Sequence, residues 1–397
     1  MTAAERSAKK PDVNDYTAEG RTGRPPSPDS ATRRTRPTRT APAVTIKEVA
    51  REAGVSVATI SRVVNEKGPV REDTRRRIRG VIERLRYAPH GAARSLITRK
   101  THTLGVLLPD LFGEFFSELI RGIDLAARQR GYHLLVSGSH GDRTESQTML
   151  RAIRGRVDGL IALSPDLDAQ AFEENLPAGF PVVLLNGDVR RSRYDSIRVD
   201  NYGGALAMVR HLIRLGHRRV AFVTGPAGNH DAAERLRGYR DGLGGQAGTR
   251  ALEIRGDFRE EAGYRAAPRI LGGRHLPTAV FAANDAMAIG LLCAFRERHV
   301  RVPEDMALTG FDDIPIARFI TPPLTTVRFP IAELGCLATA RLMRALKETD
   351  ERRRQEEILP TMLVVRSSCG ALPETRQHAS EIEEERRFAI VRKEDAR

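Results

Sequence analysis

The sequence predicts a small all-helical domain at its start, followed by a long α/β module whose parallel sheets are flanked by helices. Three observations carry that expectation. Residues 45–65, TIKEVAREAGVSVATISRVVN, read as two short helices with a glycine between them. From Thr103 onward, apolar strands alternate with amphipathic helices for more than 250 residues, the pattern of parallel sheets covered on both faces. The charge is also divided: residues 1–100 hold 23 Lys and Arg against 11 Asp and Glu, whereas residues 101–397 hold 42 against 40. Nearly all of the formal charge of +14 therefore sits in the first quarter of the chain.

Residues 1–43 are rich in Pro, Ser, Thr, Arg and Ala and poor in large apolar side chains, so they cannot bury enough surface to fold and read as a disordered basic arm. Arg33, Arg34, Arg36 and Arg39 either hold phosphates non-specifically or belong to a passive tail or a misassigned start. Thr45 and Glu48 form a capping box that starts the first helix at about Ile46. Gly54 stops it, and Ser56 can cap the second. Val49, Ala50, Ala53, Val55, Ile60 and Val63 form a seam between the two helices. Val57, Ala58, Thr59, Ser61, Arg62 and Asn65 are left facing outward. Two helices with a glycine between them occur in many proteins that never touch nucleic acid. The basic first quarter tips the reading toward DNA, because phosphate neutralisation drives most of the affinity of such domains, and a merely solubilising tail would not need capped helices.

A third helix, from about Arg71 to Leu85, covers the seam with Ile78, Val81, Ile82 and Leu85. Arg75, Arg76, Arg77 and Arg79 lie mostly off that stripe, as a solvated face or as phosphate contacts. The following PHGAARSL, Pro89 to Leu96, is too short to be a stable helix alone, so its folding must be induced.

The α/β module shows two series of strands, TLGVLL, HLLVS, GLIAL and PVVLL, then VAFVT, AVFAA and MALTG. Two series over this length indicate two similar lobes, with ligand in the cleft at the strands' carboxyl ends. Asn186, Arg235, Asn284 and Asp312 lie in or after strand-end loops, with the flat apolar surfaces of Phe115, Phe116 and Phe258 nearby. Amide, guanidinium and carboxylate groups around an aromatic platform suit a polyhydroxylated ring. A lobe-to-lobe salt bridge is the structural alternative for Asn284, Asp312 and Arg235. Asp285 and Asp313 read as helix N-caps in preference to ligands.

The 397 residues allow two or three domains. No apolar leader core and no run of 18 apolar residues is present, so neither a secretory signal nor a membrane span is expected, and a cytoplasmic location follows. Cys293, Cys336 and Cys369 are few and scattered, which argues against disulfides or zinc and reads as core thiols. Neither metal nor cofactor is expected. Enzyme chemistry is disfavoured, because no phosphate loop, zinc-ligand cluster or G-x-S-x-G elbow occurs.

Together with the helix pair, YAPHGAARSL at Tyr87 to Leu96, VDGLI at Val157 to Ile161, NDAMAIG at Asn284 to Gly290 and GFDDI at Gly310 to Ile314 resemble one family. It is that of the bacterial transcription regulators of the lac repressor type, LacI/GalR, and the likeness runs from about Thr45 to Ser368. The resemblance implies an N-terminal all-α helix-turn-helix domain plus hinge helix, followed by an α/β two-lobed periplasmic-binding-protein-like domain. The corresponding boundaries are 1–43 for the arm, a departure from family members that begin near the helix-turn-helix, 44–88 for the DNA-binding domain, and 89–100 for hinge and linker. The effector-binding and dimerisation domain takes 101–370, with lobe 1 at about 101–200 and 329–350, lobe 2 at about 201–328 and 351–370, and a charged tail at 371–397. Crossings between lobes are placed near Asp200, Phe329 and Asp350.

By the same resemblance, Val57 and Ala58 read base edges, with Thr59 and Arg62 close by, while Thr45, Ser56, Asn65 and Tyr87 hold the backbone. Ala93 and Arg94 join them in the hinge, and Leu96 is the minor-groove wedge, unless it is a linker leucine packed on the next domain. Arg235 (in RLRGY), Asn284, Asp312 and Phe258 (in GDF) match ligand-contacting positions, and Asn186 stands where an aspartate is common. Asn229 and Asp231 stand where purine-binding members carry base-contacting side chains, but the basic partner is missing. GEFF replaces the common Asn-Pro-Phe-Phe loop, so Glu114 adds a carboxylate at the cleft mouth. The implied function is a repressor that binds a pseudo-palindromic operator in double-stranded DNA as a homodimer, or as a tetramer of two such dimers, under control of a sugar-like effector. A purine- or nucleoside-responsive regulator is the alternative, and a solute-binding protein or a sugar-acting enzyme a more distant one.

Overall fold

The computed structural model describes residues 44–64, 68–87, 100–164, 167–186, 194–244, 250–347 and 355–371. The chain divides into two compact units between residues 89 and 90. The first contains helices α1 (Ile46–Ala53), α2 (Val57–Val64) and α3 (Glu72–Arg84). The Thr45 hydroxyl accepts from the Glu48 amide at 3.4 Å, and the Glu48 carboxylate accepts from the Thr45 amide at 2.6 Å, closing the capping box. Gly54 ends α1 at φ 61, a left-handed turn that costs glycine little. Ser56 then receives the Thr59 amide at 3.2 Å and opens α2. Val49, Ala50, Ala53, Ile60 and Val63 share one core with Ile78 and Val81 of α3, so each helix buries the apolar face its spacing provides.

The second unit is built on two parallel sheets. The first holds β1 (Thr103–Leu108), β2 (His133–Gly138), β3 (Gly159–Ala162), β4 (Val182–Leu185), β5 (Asp195–Val199) and β11 (Glu356–Leu359), in the order β11-β5-β4-β3-β1-β2. The second holds β6 (Arg219–Val223), β7 (Arg250–Ile254), β8 (Ala279–Ala282) and β9 (Ala307–Thr309), in the order β7-β6-β8-β9. β3, β4 and β8 are buried along their whole length, as strands covered by helices on both faces must be. The covering helices are α4 (Glu114–Arg128), α5 (Arg143–Ala152), α6 (Ala169–Asn175) and α11 (Ile331–Ala345) on the first lobe. On the second lobe they are α7 (Asn201–Arg214), α8 (His230–Leu243), α9 (Glu260–Leu271) and α10 (Asp285–Glu297). α4 and α11 touch backbone to backbone, and a Cβ on Gly122 would lie 1.9 Å from the Ala332 carbonyl oxygen. Phe222, Phe281 and Tyr239 fill the second lobe's core, and the Tyr239 hydroxyl donates to the Val220 carbonyl at 2.7 Å. Burying an apolar side chain of this size is worth about 2–3 kcal/mol.

β10 (Thr326–Arg328) and β12 (Met362–Val364) pair antiparallel beside the second lobe. The chain passes between the sheets at Asp200, at Phe329 and Pro330, and at Pro360 and Thr361. The last passage is ten residues beyond the expected Asp350, because Glu356–Leu359 first adds a parallel edge strand to β5. Its charged, half-exposed EEIL pattern carries no signal of a buried strand. The thiols also differ from expectation: Cys369 is buried, but Cys336 is half-buried and Cys293 is exposed on the outer side of α10. Among the described residues no helix is long and apolar enough to cross a membrane.

Candidate functional site

In the first unit, α2 presents Val57, Ala58 and Arg62 to solvent, with Val57 40% exposed. An apolar side chain left this exposed on a short capped helix is available for contact with thymine methyl groups. Thr59 is half-buried, and its hydroxyl lies 2.9 Å from that of Ser56. Ser56 and Thr45 are exposed, yet each hydroxyl already serves a helix start. Tyr87 packs against the three-helix core, and burial raises its phenol above the ordinary value. Asn65, Ala93, Arg94 and Leu96 lie outside the described residues.

In the second unit the strand-end residues of the second lobe converge on one buried guanidinium. Arg235 of α8 is 4% exposed. Its Nε donates to the Asn201 side-chain oxygen at 2.8 Å, Nη1 donates to the Ala283 carbonyl at 2.6 Å, and Nη2 lies 3.0 Å from Asp312 Oδ1. The guanidinium carbon sits 3.7 Å over the Phe311 ring and 5.5 Å from that of Phe258, a cation between two aromatic faces. Burial pushes the Asp312 carboxyl up to about 6, although Arg235 pulls the other way. Asp231 accepts from the Asn201 amide at 2.9 Å, and burial pushes it up to about 7 against the pull of Arg235 and with repulsion from Asp312. The site thus holds two carboxyls of raised proton affinity beside one cation.

Asn186, at the end of β4, receives the Val199 amide at 3.1 Å. Asn284 is the N-cap of α10, accepting from the Met287 amide at 3.1 Å, and its amide donates to the Phe258 carbonyl at 2.8 Å. Asn186, Phe258 and Asp312 have φ of 52, 72 and 108, left-handed conformations that side chains adopt at a cost and that gather where geometry serves a function. Asp285 and Asp313 are not the helix caps expected of them. Asn284 holds that place, and Asp285 instead receives the Thr326 hydroxyl at 2.6 Å and the Ile314 amide at 3.0 Å. Asp313 pairs with Arg366 at 2.7 Å and with Arg328. Asn229 caps α8 through the Ala232 amide at 2.9 Å, so its oxygen is already engaged.

Phe115 and Phe116 of α4 meet edge to face at 5.2 Å, and Phe115 reaches Phe329 at 6.2 Å, which reaches Phe311 at 6.5 Å. An aromatic series therefore runs from the first lobe to the underside of Arg235. Among the described residues, polar contacts that span the lobes include Glu114 accepting from the Ile316 amide at 2.8 Å, Arg259 pairing with Asp110 at 2.7 Å, and the Asn186 side chain hydrogen-bonded to Asp231. Sequence reasoning missed Asn201, Phe311, Asp110 and Arg259. Phe311 stood in the recognised GFDDI run, immediately before Asp312, and was the one with a signal.

Residues 45–90 match the model of the bacterial regulatory proteins of the lacI family, and residues 209–369 match a periplasmic binding protein-like domain. The chain is 35% identical to the ribose operon repressor of Escherichia coli strain K12 over 325 residues, covering 80% of this chain and 98% of that protein. The chain belongs to the lacI family of bacterial regulatory proteins. As a lacI family member it is a DNA-binding transcriptional regulator and not an enzyme. Its curated relatives also include catabolite control protein A of Priestia megaterium, 35% identical over 77% of this chain and 94% of that protein. The PurR repressor of Edwardsiella ictaluri is 34% identical over 81% of this chain and 96% of that protein. Among solved structures, the lac repressor dimer bound to operator and the anti-inducer ONPF superposes with a TM-score of 0.74 at 30% identity, covering 83% of this chain and all of that one.

Proposed function

We propose that this lacI family regulator is a cytoplasmic repressor that binds a pseudo-palindromic operator as a homodimer, with its DNA affinity set by a sugar held between the lobes. The observation that carries the effector class is the Arg235 cluster. A guanidinium with carboxyls and amides on its edges and phenyl rings on its faces offers both donors and acceptors to ring hydroxyls and a flat surface to a C–H face. The relatives support it: the named repressors include one for a ribose operon, and a lacI family regulator of Enterococcus faecium, 29% identical with a TM-score of 0.61, is solved with bound ribose. Arg235, Asn284, Asp312, Phe258, Asp231, Asn186, Phe115 and Phe116 are the residues we assign to the effector.

Arg235, Asp312 and Asn284 are all less than 10% exposed, so ligand entry requires the lobes to part, which breaks the Glu114 and Arg259 contacts. Effector binding then selects one lobe arrangement, and the spacing of the two hinge segments in the dimer follows. A purine effector is the second reading, favoured by the 34% identity to PurR. Against it stands Asn229, whose oxygen is taken by the start of α8.

The test is thermal unfolding of the full chain against pentoses, hexoses, disaccharides, nucleosides and purines. A ligand at 100 times its Kd adds roughly 2.7 kcal/mol. A response confined to sugars supports the reading. A response confined to purines replaces it with the second, and no response removes the sugar assignment.

A further inference from the structure

A second site lies outside the cleft. A groove of about 400 Å³ runs along the second lobe between the end of β7 and α9. Its rim carries Arg255, Arg265 and Arg269, and its floor is the buried, small or branched set Ile254, Ala262 and Ala266. Arg265 and Arg269 are one helical turn apart on the same face of α9, where like charges repel. The acids at hand are Asp257, 3.5 Å from Arg265 in a solvent-exposed contact, and Glu261 one turn earlier on α9. The side chains of Arg255 and Arg269 are exposed and make no ion pair or hydrogen bond among the described residues. Several other surface arginines of the same lobe are held by acids, Arg237 by Glu234 at 2.6 Å, Arg240 by Glu253 at 2.7 Å and Arg301 by Asp305 at 2.6 Å, whereas these two stand unneutralised on one groove.

We propose that this groove binds a small phosphate-bearing molecule, its phosphate held by the forks of Arg255 and Arg269 and its uncharged body resting on Ile254, Ala262 and Ala266. Guanidinium forks match the paired oxygens of a phosphate dianion, and two of them on one phosphate would give orientation as well as attraction. The volume is that of a small-molecule site. None of these residues belongs to the Arg235 cluster, so the proposal stands or falls independently of the cleft assignment.

The experiment is isothermal titration of the full chain with inorganic phosphate and with glycerol phosphate, at an ionic strength fixed by chloride. The basic DNA-binding unit also attracts anions, so the wild type is compared with the Arg255→Gln/Arg269→Gln double variant and with Arg296→Gln, which removes an exposed charge from α10 instead. The expected result is saturable binding that falls at least tenfold in the double variant and stays unchanged in Arg296→Gln, with unaltered thermal unfolding in the absence of ligand. Tighter binding of glycerol phosphate identifies a phosphate ester as the source, and equal binding identifies free phosphate. Absence of saturable binding, or equal affinity in all three proteins, overturns the proposal.

Discussion

Replacing Asp231 by Asn should stabilise the effector module at neutral and alkaline pH and leave it unchanged in acid. Burial raises this carboxyl from 3.8 to about 7, with Asp312 adding repulsion and Arg235 opposing. A raised carboxyl favours folding while protonated. That contribution is complete below the unfolded value and is lost as pH rises through the folded one, here between 3.8 and about 7. At 1.36 kcal/mol per unit, the shift corresponds to an upper limit of about 4 kcal/mol. Asp231 is half-buried as a residue, so water screens part of this and about 2 kcal/mol is the working figure. The Asn201 amide still finds an oxygen in Asp231→Asn, so no donor is orphaned. In a module of this size about 2 kcal/mol moves Tm by roughly 4–8 °C. The assay is calorimetric unfolding of both proteins near pH 4 and near pH 8, following the effector module's transition. A gain near pH 8 that vanishes near pH 4 supports the argument. An equal difference at both values, or a loss near pH 8, refutes it and means that Arg235 holds Asp231 as a stable anion.

Asp312→Ala leaves the Arg235 guanidinium buried without its counter-ion, a loss of about 3–5 kcal/mol for a broken buried pair; unfolding should show that loss, and the surviving fold should bind DNA but no longer respond to sugar. Gly122→Ala drives a methyl into the Ala332 carbonyl between α4 and α11, and overpacking of this kind costs about 1–3 kcal/mol, read as a lower denaturant midpoint. Thr45→Ala removes the capping box of α1, worth about 1 kcal/mol, and should lower the stability of the first unit while leaving sugar affinity unchanged. Arg62→Ala should relax preference at one base pair, tested by binding to an operator mutated position by position; uniform weakening across sequences would make it a phosphate contact instead.

The parts of the fold visible in the sequence were those where local chemistry and tertiary packing agree. Thr45, Glu48 and Gly54 mark a helix without help from the rest of the chain, and GLIA, VVLL and AVFA are apolar because both their faces are covered. β5, β7 and β11 escaped notice because DSIRV, RALEI and EEIL carry charge within the strand. Missing β11 displaced the third crossing. At the cleft, Arg235 and Asp312 were legible as polar residues in strand-end loops, but their pairing was not. Asn201 joins them only because the crossing at Asp200 delivers α7 to the same point. Asp285 and Asp313 were misread for a related reason: adjacent acids at a helix start look like caps, yet the cap is the neighbouring Asn284 and both acids hold the β10 region, through Thr326 and Arg328.

The most direct test of the central claim is fluorescence-anisotropy titration of operator DNA, with and without the sugar that responds in thermal unfolding, using the wild type and Asp312→Ala. The account predicts that the sugar changes the wild type's Kd for DNA by about 5- to 150-fold, the range of a 1–3 kcal/mol coupling, and leaves that of Asp312→Ala unmoved. The same sugar-induced change in both proteins, or none in the wild type, would contradict it.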